Sequence, residues 1–156
     1  MNKLNNIVEE CLRDHVGGEK FFDSLDSKVT DQEILESLLS LISSNTNLGE
    51  VGIITSGKFS EALRNHLNRH NHNVGAFVST NGGLRKGNKC IIRSINIYSK
   101  VSRWIFVDDS YYSGTTKKVV CETLLKIGIE ANNTFVVYDG SKSNSESIFS
   151  LYKYYK

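Results

Sequence analysis

Residues 103–116 read RWIFVDDSYYSGTT, and this stretch decides the fold. Its short apolar run, Ile105–Val107, is typical of a buried strand. Two acids follow directly, Asp108 and Asp109, and then a loop of small hydroxylated residues, Ser113–Thr116. Apolar side chains recur after the loop at helical spacing. The stretch therefore predicts a strand, an acidic pair, a hydroxyl-glycine loop and a helix, in that order.

The predicted loop has the features of a phosphate site. Its backbone N–H groups and the N-terminus of the following helix favour a bound dianion. Gly114 permits the positive φ or the close approach that such a loop needs, and Gly128 stands where the helix C-cap is expected. The carboxylates of Asp108 and Asp109 can accept hydrogen bonds from vicinal sugar hydroxyls or organise a divalent ion. This pattern predicts a site for a phosphorylated sugar.

The same run resembles the signature by which type I phosphoribosyltransferases bind phosphoribosyl pyrophosphate (PRPP). That signature has four apolar residues, two acids, three spacers and then Thr/Ser-Gly-x-Thr/Ser. Here Trp104–Val107 fill the apolar positions and Ser113–Thr116 fill the loop. One position departs, because the residue before the loop is usually a small hydroxylated one and here it is Tyr112. The alternative interpretation is a buried strand whose two acids merely start a turn.

The resemblance implies a role for each part of the run. Asp108 and Asp109 would hold the ribose hydroxyls of PRPP, with Mg²⁺ as a cofactor that bridges the pyrophosphate to the sugar. No protein ligand of that ion is assigned. The loop residues would bind the 5′-phosphate: Ser113, Gly114, Thr115 and Thr116.

Length and composition predict one soluble domain. The chain has 156 residues, enough for a single domain over residues 1–156 with a real core. The net charge of +2 gives no reason to expect nucleic acid as a partner. No apolar run approaches the roughly 20 residues of a membrane span, and acids stand where a signal peptide would have its apolar stretch. Three scattered cysteines are typical of reduced thiols, so we expect a cytoplasmic protein.

A second strand–loop–helix unit precedes the signature. Val51–Thr55 is predicted as a buried strand, Ser56–Ser60 as a tight loop, and a helix is expected to begin near Glu61. In phosphoribosyltransferases the first such loop holds the pyrophosphate. The alternative is an ordinary solvated loop lysine. The resemblance implies three pyrophosphate-binding residues: Ser56, Gly57 and Lys58.

A basic segment follows the next predicted strand, Val74–Ser79. It carries Arg85, Lys86 and Lys89 and resembles the mobile catalytic loop of orotate phosphoribosyltransferases, which closes over pyrophosphate and often comes from the neighbouring subunit of a dimer. That family usually continues with His-Gly, whereas this chain has Cys90-Ile91. The alternative is a solvated basic hairpin.

The N-terminal residues 1–48 predict helical scaffold. An apolar stripe over Leu4–His15 indicates one amphipathic helix. A capping box that begins at Thr30 indicates a second helix, which is expected to end near Asn45. The histidines His66 and His70 of the next helix, with His72 in the Asn-His-Asn turn, are interpreted as a plain helix surface rather than a metal site, because no carboxylate or cysteine lies at a supporting spacing.

The remaining segments complete a sheet. Ile91–Tyr98 is expected to form a hairpin arm and Thr134–Asp139 another buried strand. Asp139-Gly140-Ser141 resembles part of a phosphatase motif, but Val137 stands in place of the nucleophile, so that function is disfavoured. The aromatic C-terminus, Leu151–Lys156, fits either an edge strand or a cap over a base-binding cleft.

These patterns predict an α/β fold, a parallel sheet with helices on both faces plus a small hood, with the PRPP-binding core at residues 50–140. The resemblance implies a homodimeric phosphoribosyltransferase that transfers ribose 5-phosphate from PRPP to an orotate-like or other nucleobase and releases pyrophosphate. The alternative is a PRPP-sensing regulatory or binding protein without turnover. The base itself is not identified. The residues implied in catalysis are Asp108, Asp109, Lys89, Arg85 and Lys86.

Overall fold

The computed structural model describes residues 6, 9, 10, 31–82, 89–141 and 147–153. Asn6, Glu9 and Glu10 are helical, as the N-terminal stripe predicts, and the rest of that predicted helix lies outside the described residues. Arg85 and Lys86 also lie outside them, as do the last three residues of the chain.

The described part of residues 31–153 contains six strands, three α-helices and one 3₁₀ turn. The helices are α1 (Gln32–Asn45), α2 (Gly57–Arg69) and α3 (Thr115–Leu125), and the 3₁₀ turn is Leu48–Glu50. The strands are β1 (Val51–Ser56), β2 (Ala76–Thr80), β3 (Ile92–Ile97), β4 (Arg103–Tyr111), β5 (Ala131–Asp139) and β6 (Ile148–Lys153). None of the helices in the described ranges is long and apolar enough to cross a membrane.

The strands form one sheet in the order β3-β2-β1-β4-β5-β6. Every neighbouring pair is parallel except β2 and β3, which pair antiparallel as the predicted hairpin arm requires. The C-terminal residues up to Lys153 form the edge strand β6, which decides between the two interpretations of that segment for its described part. The predicted α/β class with a parallel sheet is confirmed.

Neighbouring residues of a strand point to opposite sides of the sheet. Both faces of the sheet therefore present apolar side chains, and helices cover both. Ile53 and Val107 pack with α1 and α2 in one core, whereas Ile54 and Phe106 pack with α3 in the other. Each fully buried large side chain contributes about 1.5–3 kcal/mol to stability. The largest fully buried side chains include Phe77, Phe106, Phe135 and Ile34.

Two predicted helix ends were wrong. The N-cap of α1 is Asp31, not Thr30, since the Asp31 carboxylate accepts the Glu33 amide at 2.9 Å. Helix α3 ends at Leu125, three residues before Gly128. Gly128 still closes the helix end with φ +84°, which lets the Ile129 amide donate back to the Leu124 carbonyl.

The interpretation of the histidines as a plain helix surface was wrong for His66 and His72, whereas His70 is exposed. His66 is only 3% exposed, and its Nε2 lies 2.8 Å from Glu36 Oε2 on α1. His72 Nε2 lies 3.0 Å from the same oxygen. The hydrogen bond with His66 lowers the pKa of the Glu36 carboxyl, against the opposing effect of burial. The carboxylate comes from another helix, 30 residues away in sequence, so local spacing gave no sign of it.

Gly52 offers a test of the β1–β4 packing. The two strands pair Gly52 with Trp104, and a Cβ on Gly52 would overlap the Trp104 ring. We expect Gly52→Ala to lower the free energy of unfolding by about 1–3 kcal/mol, as overpacking does. Gly49→Ala is the matched control, since its Cβ would meet nothing closer than Asn47 Oδ1 at 3.6 Å. Chemical denaturation of both variants measures the difference, and equal stability would contradict this packing.

Candidate functional site

The candidate site lies where β1 and β4 end side by side. β1 is followed by α2, which leads to β2 on one side, and β4 by α3, which leads to β5 on the other. Adjacent parallel strands whose connections diverge in this way leave a crevice beyond their carboxyl ends. Both predicted phosphate loops follow these two strands, so the fold brings them to the same edge of the sheet.

The acidic pair lies at the mouth of this crevice. Asp108 is 7% exposed, and its Oδ1 accepts the Asp109 amide at 2.9 Å. Ser56 at the end of β1 approaches Asp108 Oδ2 at 3.5 Å, so the two strand ends meet through their side chains. Asp109 is half-buried, and its Oδ1 accepts the Ser110 amide at 2.7 Å. A buried carboxylate needs such donors, and here they come from the backbone next to it.

The loop Ser113–Thr116 lies at the N-terminus of α3. Gly114 is the N-cap, with φ +81° and no side chain to cap the first amides of the helix. The Ser113 hydroxyl lies 2.9 Å from the Thr115 hydroxyl and accepts the Thr115 amide only at 3.4 Å. Uncapped first-turn amides and the positive end of the helix dipole can bind an anion. The chemistry of this loop therefore suits a phosphate group.

The two tyrosines before the loop point to different places. The Tyr111 hydroxyl lies against Gly114, 2.6 Å from where a Cβ on that glycine would be. Tyr112 is 57% exposed, and its Cδ2 lies 3.2 Å from the corresponding Cβ position of Gly140, at the end of β5. The ring of Tyr112 thus lies outside the loop, over Gly140.

The second predicted loop is the first turn of a helix. Helix α2 begins at Gly57, directly after β1, and not near Glu61 as predicted. Gly57 makes this abrupt junction with φ +62°, a conformation that glycine adopts without strain. Lys58 is exposed in the first turn. The N-terminus of a second helix, with a cation beside it, therefore lies at this edge of the sheet.

Buried hydroxyl groups hold that junction in place. The Thr55 hydroxyl lies 2.7 Å from both the Ser60 hydroxyl and the Val78 carbonyl, and Ser60 donates to Ser79 at 2.6 Å. These bonds connect β1, α2 and β2 directly below Gly57. Sequence reasoning missed them, because an isolated hydroxyl in an apolar strand gives no sign of its partner.

The predicted basic loop is described only at its ends. Asn81 joins them, since its side chain accepts the Ile91 amide at 2.7 Å and donates to the Lys89 carbonyl at 2.9 Å. Lys89 is exposed. Sequence analysis assigned no role to Asn81, because its two partners lie eight and ten residues away.

Asp139, at the end of β5, is a structural carboxylate. It is buried, accepts the amide and hydroxyl of Ser141, and pairs with Lys153 of β6 at 3.5 Å. These contacts join the two strand ends.

Comparisons with known proteins give the fold. No protein-family model matches the sequence, and no curated protein does. An orotate phosphoribosyltransferase structure from Aeropyrum pernix matches with a TM-score of 0.53 and 17% identity, over 92% of this chain and 77% of that one. A hypoxanthine-guanine phosphoribosyltransferase from Bacillus anthracis matches with 0.52 and 20%, over 78% and 76%. An adenine phosphoribosyltransferase from Thermoanaerobacter pseudethanolicus matches with 0.52 and 13%, over 81% and 84%. The chain therefore has the type I phosphoribosyltransferase fold.

Two glycines allow a test of the loop geometry. Gly114→Ala would strain a positive φ and also press a methyl group against the Tyr111 hydroxyl, whereas Gly128→Ala strains a similar φ with nothing within 4 Å. We expect Gly128→Ala to cost about 1–2 kcal/mol of unfolding free energy and Gly114→Ala about 1 kcal/mol more. Adding Tyr111→Phe to Gly114→Ala should recover part of that excess. Equal stabilities of the two alanine variants in chemical denaturation would contradict the Tyr111–Gly114 contact.

Proposed function

We propose that this chain is a phosphoribosyltransferase that transfers ribose 5-phosphate from PRPP to a ring nitrogen of a nucleobase and releases pyrophosphate. The observation that carries the proposal is the position of Asp108 and Asp109, at the strand ends between the N-termini of α2 and α3. This arrangement offers acceptors for sugar hydroxyls with an anion site on either side. The type I phosphoribosyltransferase fold of the chain supports it.

The two anion sites differ in ways that suit the two ends of PRPP. The Ser113–Thr116 loop offers hydroxyl and amide donors, which suit a fixed 5′-phosphate. The N-terminus of α2 adds the charge of Lys58, which suits a leaving group that gains negative charge. The exposed Lys89 would add positive charge for the leaving group. Arg85 and Lys86, to which the sequence pattern gives the same role, lie outside the described residues.

In the reaction, the bond between the anomeric carbon and the pyrophosphate oxygen breaks, and its electron pair leaves with pyrophosphate. The base nitrogen then bonds to the anomeric carbon and releases its proton to solvent. The sugar is cationic in the transition state, so the negative charge of Asp108 and Asp109 near the ribose stabilises it electrostatically. Holding base, sugar and leaving group in line supplies much of the remaining acceleration.

The oxygen donors of the site fit Mg²⁺, which prefers carboxylates, hydroxyls and phosphates and keeps several waters. Asp108, Asp109 and Ser56 are the side chains that would hold or orient it. When bound, the ion would neutralise charge on the pyrophosphate as it leaves. A homodimer in the cytoplasm and an orotate-like base stay predictions.

Pyrophosphate release tests the function. The protein, mixed with PRPP, Mg²⁺ and single nucleobases, should release pyrophosphate with at least one base. Asp108→Asn with Asp109→Asn should abolish release and weaken PRPP binding by roughly ten- to a hundredfold, because charge-assisted hydrogen bonds are worth about 1.5–3 kcal/mol. Glu122→Gln with Glu130→Gln removes the same charge from exposed positions and is the matched control.

The outcomes separate the alternatives. PRPP binding that depends on the acidic pair, with no turnover on any base, would favour a PRPP-sensing binding protein. Unchanged PRPP affinity of the folded aspartate variant in calorimetric titration would contradict the assignment of the site itself.

Tyr112 gives an independent prediction. Because its ring lies outside the Ser113–Thr116 loop, over Gly140, it leaves the space for a 5′-phosphate clear. We expect Tyr112→Thr to keep PRPP affinity or to raise it, and Tyr98→Thr, at another exposed tyrosine, to leave it unchanged. A tenfold or greater loss in the Tyr112 variant alone would show that this ring contacts the ligand.

A further inference from the structure

A cluster of metal-binding side chains lies between α1 and the end of α2. Glu36 comes from α1, His66 from the last turn of α2 and His72 from the turn after it. One ligand atom from each lies within 4.8 Å of the other two. Both imidazole Nε2 atoms converge on Glu36 Oε2, at 2.8 Å and 3.0 Å.

This cluster is separate from the candidate site. Helix α2 begins at the carboxyl end of β1, and nine residues separate Gly57 from His66, which is about 14 Å at 1.5 Å per residue. The helix leads back toward the amino ends of the strands. The three ligands therefore have no part in the proposed transfer reaction.

We propose that Glu36, His66 and His72 bind a divalent transition-metal ion such as Zn²⁺. Two imidazole nitrogens and one carboxylate oxygen are a donor set that zinc takes, with water in the fourth position. Nitrogen donors select against Mg²⁺ and Ca²⁺, which prefer oxygen. The site opens into a surface depression that Gln32, Glu33 and His70 also line, so solvent can reach the fourth position.

Two of the three separations between ligand atoms are close to what the ion needs, and the third is no more than 4.8 Å. Zinc–ligand bonds of about 2.0–2.2 Å in a tetrahedron put neighbouring ligand atoms roughly 3.3–3.5 Å apart. The distances from Glu36 Oε2 to the Nε2 atoms of His66 and His72 are a few tenths of an ångström shorter. The Glu36 side chain is 48% exposed and that of His72 is 26% exposed, so both can make this adjustment without disturbing the core.

One feature weakens the site. An ion on His66 Nε2 requires the ring proton on Nδ1, and His66 Nδ1 is buried without a hydrogen-bond partner among the described residues. Metal-binding histidines usually donate that proton to a partner, whose loss costs about 10–100-fold in affinity. We therefore expect reversible binding that is weaker by about that factor than in a site with a complete outer shell.

Zinc titration of the untagged, chelator-treated protein tests this proposal. Calorimetry should show one zinc ion per chain at this cluster, and excess Mg²⁺ should not displace it. Zinc at about 100 times its dissociation constant should raise the melting temperature by roughly 5–10 °C. His72→Ala and Glu36→Gln should each lower zinc affinity at least about tenfold and remove this shift.

Two controls make the result specific. His70→Ala changes a histidine of the same depression that makes no contact with Glu36 among the described hydrogen bonds, and it should keep wild-type zinc binding. Cys90 and Cys121 are free thiols, so a variant with every cysteine replaced by serine should also keep it. Absence of saturable zinc binding, equal binding by the His72 variant, or loss in the cysteine-free variant would each overturn the proposal. None of these results depends on PRPP.

Discussion

The parallel pairing of β1 with β4 is the constraint on which the rest of the structure depends. Its register places Ile54 beside Phe106, and continuing along both strands brings Ser56 to Asp108. A slip of one residue would turn Phe106 out of its core and Asp108 to the other face of the sheet. The same hydrophobic register that stabilises the centre of the sheet therefore positions the acidic pair. Because the helices after β1 and β4 leave in opposite directions, the crevice that this pairing creates stays open.

The polar groups at the strand ends lower the folding stability, and burial of the apolar core offsets this loss. Burying a carboxylate is unfavourable unless donors replace water, and Asp108 takes one of its donors from the next residue of its own strand. Gly57 and Gly114 have positive φ and stand at the starts of α2 and α3, where a side chain would add strain. Continuous apolar runs in the central strands stabilise the sheet enough to tolerate these local costs. Each central strand is therefore apolar in its middle, where it stabilises the core, and polar at its carboxyl end, where it contributes to the candidate site.

The sequence predicted the features that depend on neighbouring residues. Apolar runs located four of the five strands that pair in parallel, namely β1, β2, β4 and β5. The acidic pair with its hydroxyl-glycine loop is contiguous in sequence, so the fold class was predictable. The partners of single polar residues were not. Glu36 is 30 residues from His66, Ser60 lies 19 from Ser79, and Asn81 binds across a ten-residue gap to Ile91. Such pairs depend on how elements pack against one another, which periodicity within one element does not contain. The early start of α2 was missed for a similar reason, since a glycine after a strand fits a loop as well as a sharp junction.

The contacts of Tyr111 and Tyr112 explain how this chain tolerates a bulky residue where the signature usually has a small one. Successive residues of extended backbone point to opposite sides, so one tyrosine faces the loop and the other faces away. Each ring lies where a glycine leaves space: Tyr111 against Gly114, and Tyr112 with Tyr138 against Gly140. A side chain at position 140 would meet both Tyr138 at 2.9 Å and Tyr112 at 3.2 Å. The departure at Tyr112 is therefore matched by a glycine 28 residues later, which leaves space for its ring.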